Sequence, residues 1–132
     1  MTALEQVLPP SAATTPEGHL TIGGCDLVAL AEEHGTPLVV YDEGALRATA
    51  RAYVAAFRAH APDVEVFYAS KAYFGLAMLR IARDEGLSID VASGGELQAA
   101  LRAGFPPERI EMHGNNKDAG ELGQALDVGV AT

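Results

Sequence analysis

From Leu38 onward, short apolar runs of β type alternate with amphipathic stretches at helical spacing, and most stretches close on glycine or proline. Leu38–Tyr41 is the first run, and Asp42 stands where a helix N-cap belongs. Leu46, Ala50, Tyr53, Val54 and Phe57 then share one face of a predicted helix reaching His60, broken by Pro62 and Asp63. Val64–Tyr68 predicts a strand, Tyr73–Glu85 a helix ending at Gly86, and Leu87–Val91 a further strand. Ser93 with Glu96 forms an S-x-x-E capping box for a helix to Ala103, closed by Gly104. Arg109–His113 predicts another strand, Asp118 with Glu121 a second capped helix to Asp127, and Val128–Ala131 a strand beginning after it. Single helices between successive strands imply βαβ units, a parallel sheet and the α/β class. The alternation alone leaves an open doubly wound sheet and a barrel as alternatives.

Upstream, residues 1–18 are rich in Pro, Ala, Thr and Ser and read as a loosely ordered lead-in. The apolar run His19–Ile22 stops at Gly23-Gly24. Asp26 then caps a helix to His34, with Leu27, Leu30 and Ala31 on one face and Gly35 and Pro37 ending it. The expected division is a lead-in with a short helix over residues 1–35 and α/β units over 36–132. The chain stops inside the apolar run Val128–Thr132, and a (β/α)₈ barrel takes about 250 residues. The expectation is a part of something larger.

The formal net charge of −9, with no basic cluster, argues against nucleic acid or an anionic membrane surface as the main partner. No apolar run approaches the roughly 18 residues of a membrane span. The first twenty residues lack the cationic start and apolar stretch of a secretory signal, so a cytoplasmic location is expected. Cys25 is the only cysteine and has no partner for a disulfide or a structural zinc site. With no H-E-x-x-H, G-x-S-x-G or Walker loop either, no metal is expected.

Three segments offer chemistry, each at a predicted strand end, where parallel α/β folds place their ligands. The first, Val66-Phe67-Tyr68-Ala69-Ser70-Lys71-Ala72, puts Lys71 just past a strand, in a chain with two lysines against seven arginines. A lysine amine can lose its proton and form an imine with a carbonyl, which a guanidinium cannot. The plain alternative is a solvated lysine. In the second, Asp90 falls near its strand end and Gly94-Gly95 opens the next helix, where a ligand can approach the backbone. Asp90 reads equally as a loop-facing carboxylate, and the capping box accounts for Glu96. The third, His113-Gly114-Asn115-Asn116-Lys117-Asp118, offers polar contacts at a sheet mouth, although turn chemistry and capping explain it as well.

Taken in order, Gly35-Thr36-Pro37-Leu38-Val39-Val40-Tyr41-Asp42, Tyr68-Ala69-Ser70-Lys71-Ala72, Asp90-Val91-Ala92-Ser93-Gly94-Gly95-Glu96-Leu97 and His113-Gly114-Asn115-Asn116-Lys117 resemble the N-terminal part of the diaminopimelate decarboxylase family. That family belongs to the fold-type III, alanine-racemase-like pyridoxal-phosphate enzymes. The likeness runs from Gly18 to Val130, and the Ser-Gly-Gly-Glu and His-Gly-Asn-Asn-Lys strings point to the diaminopimelate branch. It implies the first units of a pyridoxal-phosphate-binding (β/α)₈ TIM-type barrel, with the lead-in belonging to a second, β-rich domain.

By resemblance, Lys71 carries pyridoxal 5'-phosphate as an imine, Asp90 matches a strand-end acid close to the cofactor, and Ala69 matches a small residue beneath it. Glu96 matches an acidic position beside the site, and His113 and Asn115 would line the pocket. The implied activity is that of a lyase of lysine biosynthesis, decarboxylating the amino-acid substrate meso-2,6-diaminopimelate to L-lysine in a homodimer. The glycine-rich phosphate grip, the acid facing the pyridine nitrogen, the ring-stacking histidine and the partner's cysteine would lie outside these residues. Two other readings keep the cofactor: a decarboxylase of ornithine or arginine type, and a non-catalytic pyridoxal-phosphate carrier barrel.

Overall fold

A computed structural model describes residues 7–130 and 132. Residues 1–6 of the lead-in and Ala131 of the last expected strand lie outside the described residues. Contacts divide the chain into two compact units, one ending at Thr49 and one beginning at Ala50.

The first unit holds an antiparallel sheet of β1 (Ala13–Thr14), β2 (Leu20–Ile22) and β3 (Cys25–Asp26), followed by helix α1 (Leu27–His34). For residues 13–18 the expectation of a loosely ordered lead-in is corrected here, because Ala13 pairs with Thr21 and Thr14 with Leu20. Its turn is built by Pro16, which presets φ, and by Gly18 at φ +90, with the Gly18 amide donating to Thr15 O at 3.0 Å. Ile22 pairs with Cys25 across Gly23-Gly24, both at positive φ, the backbone that a two-residue hairpin demands.

Asp26 caps α1 as expected, its Oδ1 accepting from the Val28 amide at 2.8 Å. His19 Nδ1 lies 2.8 Å from its Oδ2, and this hydrogen bond, with smaller help from the capping amides, holds the Asp26 carboxyl below its ordinary value of 3.8. A carboxyl depressed in the fold stabilises above its unfolded value, and that contribution is lost as pH falls through the folded one. Urea titrations of the wild type and Asp26→Asn should therefore diverge above pH 3.8 and converge below it. A constant gap down to the lowest pH would contradict the pairing.

Helix α2 (Glu43–Arg58) follows an extended segment, Leu38–Tyr41, that is no strand among the described residues. This corrects the first expected strand. An apolar run becomes a strand only when a neighbour completes its ladder, and here Val39 and Tyr41 stand 77% and 57% exposed.

The second unit is a parallel sheet in the order β4 (Phe67–Ala69), β5 (Ser88–Val91), β6 (Ile110–Met112). Helix α3 (Leu76–Asp84) connects β4 to β5, α4 (Gly94–Ala103) connects β5 to β6, and α5 (Ala119–Val128) follows β6. The expected α/β class with a parallel sheet is what forms. Ile89 and Val91 point from the central strand into a core with Leu79, Ala82, Leu97 and Ala100, all fully buried. Side chains alternate along a strand, so Ser88 and Asp90 take the opposite face.

Three boundaries depart furthest from expectation. β4 begins at Phe67 rather than Val64, where its ladder with Ser88 starts. Helix α3 begins at Leu76 rather than Tyr73, because Ser70–Ala72 form a 3₁₀ turn and Tyr73 is extended, leaving Gly75 as N-cap. Val128 closes α5 instead of opening a strand, with Gly129 at φ +79 capping the helix; beyond it Thr132 O accepts from the Met112 amide at 2.7 Å. At the N-terminal edge of the sheet, Arg83 and Arg109 donate to the carbonyls of Ala103 and Leu87. No helix among the described residues is long and apolar enough to cross a membrane.

Candidate active site

Parallel strands bring their C-terminal ends to one edge, and the register decides who meets there. Ala69 stands beside Asp90, and Asp90 beside Glu111, three neighbours across the sheet on the face away from Ile89. Lys71 follows on the 3₁₀ turn leaving β4, and His113 follows β6, its amide donating to Val91 O at 2.9 Å. Lys71, Asp90 and His113 thus leave three adjacent strands at one edge.

Lys71 is exposed, and its amine makes no hydrogen bond or ion pair with any described residue. Asp90 is the reverse case. Its Oδ1 is buried and has no hydrogen-bond donor among the described residues; His113 Nδ1 stands 3.9 Å away. A buried carboxylate oxygen without a donor carries a desolvation cost that a cationic or N–H-bearing group placed against it would offset. Asn115 is exposed in the loop after His113, which Lys117 closes by donating from Nζ to Gly114 O at 2.7 Å.

Glu96 departs from the capping-box reading. Ser93 Oγ accepts from the Glu96 amide at 3.3 Å, but the Glu96 carboxylate does not return to the cap. Its Oε2 instead accepts from the Ala92 amide at 2.8 Å and from the hydroxyl of Ser70. Non-local partners outcompeted the local one, and Glu96 is buried behind the edge.

The Gly94-Gly95 turn is also occupied from within the chain. Glu121 completes the capping box of α5 with Asp118 and reaches across to accept from the Gly94 amide at 2.7 Å. A Cβ on Gly94 would stand 3.3 Å from Glu121 Cγ, so the glycine allows the close approach of Glu121 from the next helix N-terminus. The capping role of Glu121 was expected, but its reach to Gly94 and the burial of Ser70 were not. Ser70 carried a signal, as the lone hydroxyl between an apolar strand and a lysine.

A family model described as "Pyridoxal-dependent decarboxylase, pyridoxal binding domain" matches residues 45–132. The diaminopimelate decarboxylase of Bacillus subtilis (strain 168) is 53% identical over 110 residues, which are 83% of this chain and 25% of that one. The chain therefore spans about a quarter of the length of such relatives. Among solved structures, diaminopimelate decarboxylase from M. jannaschii in co-complex with L-lysine superposes with TM-score 0.81 at 28% identity, over 92% of this chain and 29% of that one. Lysine/ornithine decarboxylase complexed with putrescine from Vibrio vulnificus gives TM-score 0.65 at 26% identity, over 78% of this chain and 27% of that one.

Proposed function

Since this chain belongs to the pyridoxal-dependent decarboxylase family, with residues 45–132 matching its pyridoxal-binding domain, we propose that it forms the lysine-bearing part of an enzyme that decarboxylates meso-2,6-diaminopimelate to L-lysine. The observation that carries this reading is the shared strand edge, where the amine of Lys71 and the buried Oδ1 of Asp90, neither hydrogen-bonded among the described residues, leave adjacent strands. The family's cofactor is pyridoxal 5'-phosphate. This edge fits such a group: an amine open to a carbonyl carbon, a buried carboxylate oxygen lacking a donor, and Ala69 too small to fill the space beside them.

Lys71 would hold the cofactor covalently through Nζ, with Ala69 and Asp90 as neighbours and His113 and Asn115 lining the pocket. Bound there, the cofactor supplies a conjugated ring that takes up the electron pair left when the α-carboxylate departs as carbon dioxide. Lys71 Nζ, exposed and without a hydrogen bond to any described residue, would be the amine able to hold the cofactor and to exchange with an incoming substrate amine. Asp90 Oδ1 would accept from a donor placed against it, with His113 Nδ1 3.9 Å away. The amides of Ala92, Gly94, Glu96 and Glu121 donate to the side chains of Glu96, Glu121, Ser93 and Asp118 respectively, so this reading places no phosphate on them.

The same reading makes residues 36–132 the first units of a (β/α)₈ barrel and residues 1–35 part of a second, β-rich domain, within a cytoplasmic homodimer. Two observations support it: the parallel order β4-β5-β6 and the antiparallel sheet of the first unit. Carbon dioxide release by the full-length protein tests the substrate. Turnover of meso-2,6-diaminopimelate should exceed that of L-ornithine by at least about a hundredfold in kcat/KM, since a site built to bond a distal carboxylate as well as a distal amine is left with unpaired polar groups by ornithine, which has only the amine. The likeness to the Vibrio vulnificus enzyme makes ornithine the competing substrate, and preference for it would overturn the assignment.

A further inference from the structure

The residue before Lys71 is the most deeply buried polar residue described in the second unit. Ser70 is fully buried, and its Oγ lies within hydrogen-bonding reach of Asp90 O, at 2.8 Å, and of Glu96 Oε2. The same Oε2 accepts from the Ala92 amide at 2.8 Å. The single proton of the Ser70 hydroxyl, shared between Asp90 O and Glu96 Oε2, and the Glu96 oxygen that also accepts from the Ala92 amide therefore tie the turn carrying Lys71 to the main chain at residues 90 and 92, on either side of the end of β5. The ladder between β4 and β5 ends at the pair Ala69–Asp90, so without this tie the turn leaves the sheet with no further bond to β5 in that register.

We infer that Ser70 and Glu96 are positioning residues, a buried latch that fixes the backbone of Lys71 against the strand presenting the Asp90 carboxylate. This rests on the assignment of Lys71 as the cofactor-bearing lysine. The latch acts through bonds received by one oxygen, and it does not depend on the negative charge of Glu96. Glutamine has one carbonyl oxygen that can receive both the Ser70 hydroxyl and the Ala92 amide, whereas alanine has none. Glu96→Gln should therefore restore what Glu96→Ala loses, and a carboxylate acting directly on the substrate would show the opposite.

The test uses the full-length protein loaded with pyridoxal 5'-phosphate. It reads kcat and KM separately, the pH dependence of the visible absorption of the lysine-bound cofactor, and the melting temperature. In Ser70→Ala and Glu96→Ala, kcat should fall by about ten- to a hundredfold with KM within about threefold, because the amine is misplaced rather than the substrate released. The pH midpoint of the absorption should move with it, and Glu96→Gln should return both close to wild type. A residue that only supports the fold would lower the melting temperature and leave kcat and the absorption of the folded fraction unchanged; that result overturns the latch. Equal loss in Glu96→Gln and Glu96→Ala overturns it as well. Should Ser70→Ala fail to fold, the Glu96 pair carries the comparison. Absence of lysine-bound absorption in the wild type itself would instead remove the assignment of Lys71 on which the latch stands.

Discussion

In the full-length protein, alanine in place of Lys71 is expected to lower decarboxylation by at least about a thousandfold while leaving the fold intact, because the amine proposed to join the cofactor at this edge is gone. Lys71 is exposed and its amine touches no described residue, so its removal should change stability by no more than about 0.5 kcal/mol. Arginine should fail nearly as completely as alanine. It keeps the positive charge and much of the length, but a guanidinium does not lose its proton and cannot form the imine. Steady-state carbon dioxide release with parallel urea titrations measures both sides of this prediction. A Lys71→Arg variant with substantial turnover would mean that charge, and not covalent chemistry, is what this position supplies.

The largest effect on stability should come from Ile89→Ala. Ile89 is fully buried on the central strand, between Tyr68 of β4 and Ile110 of β6, and it points into the core formed with α3 and α4. Truncation there removes the burial of the lost carbons and leaves a cavity that a strand held on both sides cannot close, costing about 2–5 kcal/mol. Against a typical total of about 5–15 kcal/mol, that is a large share of the fold. Arg80→Ala, on the exposed face of α3, should cost no more than about 0.5 kcal/mol in the same urea titration. Equal losses in the two variants would contradict the placement of the core.

Which parts of this structure could be read from residue order follows from the range of the forces involved. Helix ends were legible because caps are local. Asp26, Ser93 and Asp118 each accept from an amide two or three residues ahead, while Gly104 and Gly129 take the left-handed backbone that stops a helix. The strands β5 and β6 were legible because Ile89, Val91 and Ile110 are apolar on the face that packs against the helices. Leu38–Tyr41 has the same composition and is no strand among the described residues, since a ladder needs a partner that local composition does not reveal. The hairpin at Gly23-Gly24 carried a readable signal, two glycines between β-type residues, that a reading focused on the later alternation passed over.

The site divides along the same line. Lys71, Asp90 and His113 could be placed at strand ends from spacing alone, because parallel βαβ units return every strand to the same edge. What each side chain meets there is set across the sheet. Glu96 sits at the spacing of a capping box, yet its carboxylate goes to Ser70, 26 residues away in sequence, and Glu121 takes the Gly94 amide from 27 residues away. Neither partner is visible in a window of one helix. The unsatisfied Oδ1 of Asp90 is likewise a property of the assembled edge and of no motif.

The central claim is that Lys71 is the residue to which pyridoxal 5'-phosphate is joined, and the two lysines of this chain make it directly testable. The full-length protein, incubated with pyridoxal 5'-phosphate and reduced with borohydride, is digested and its peptides are weighed and sequenced by mass spectrometry. The account predicts the pyridoxyl-phosphate mass on the peptide containing Lys71 and none on the one containing Lys117, whose amine is engaged by Gly114 O. Label on Lys117 or elsewhere with Lys71 unmodified, or no label at all, would contradict it.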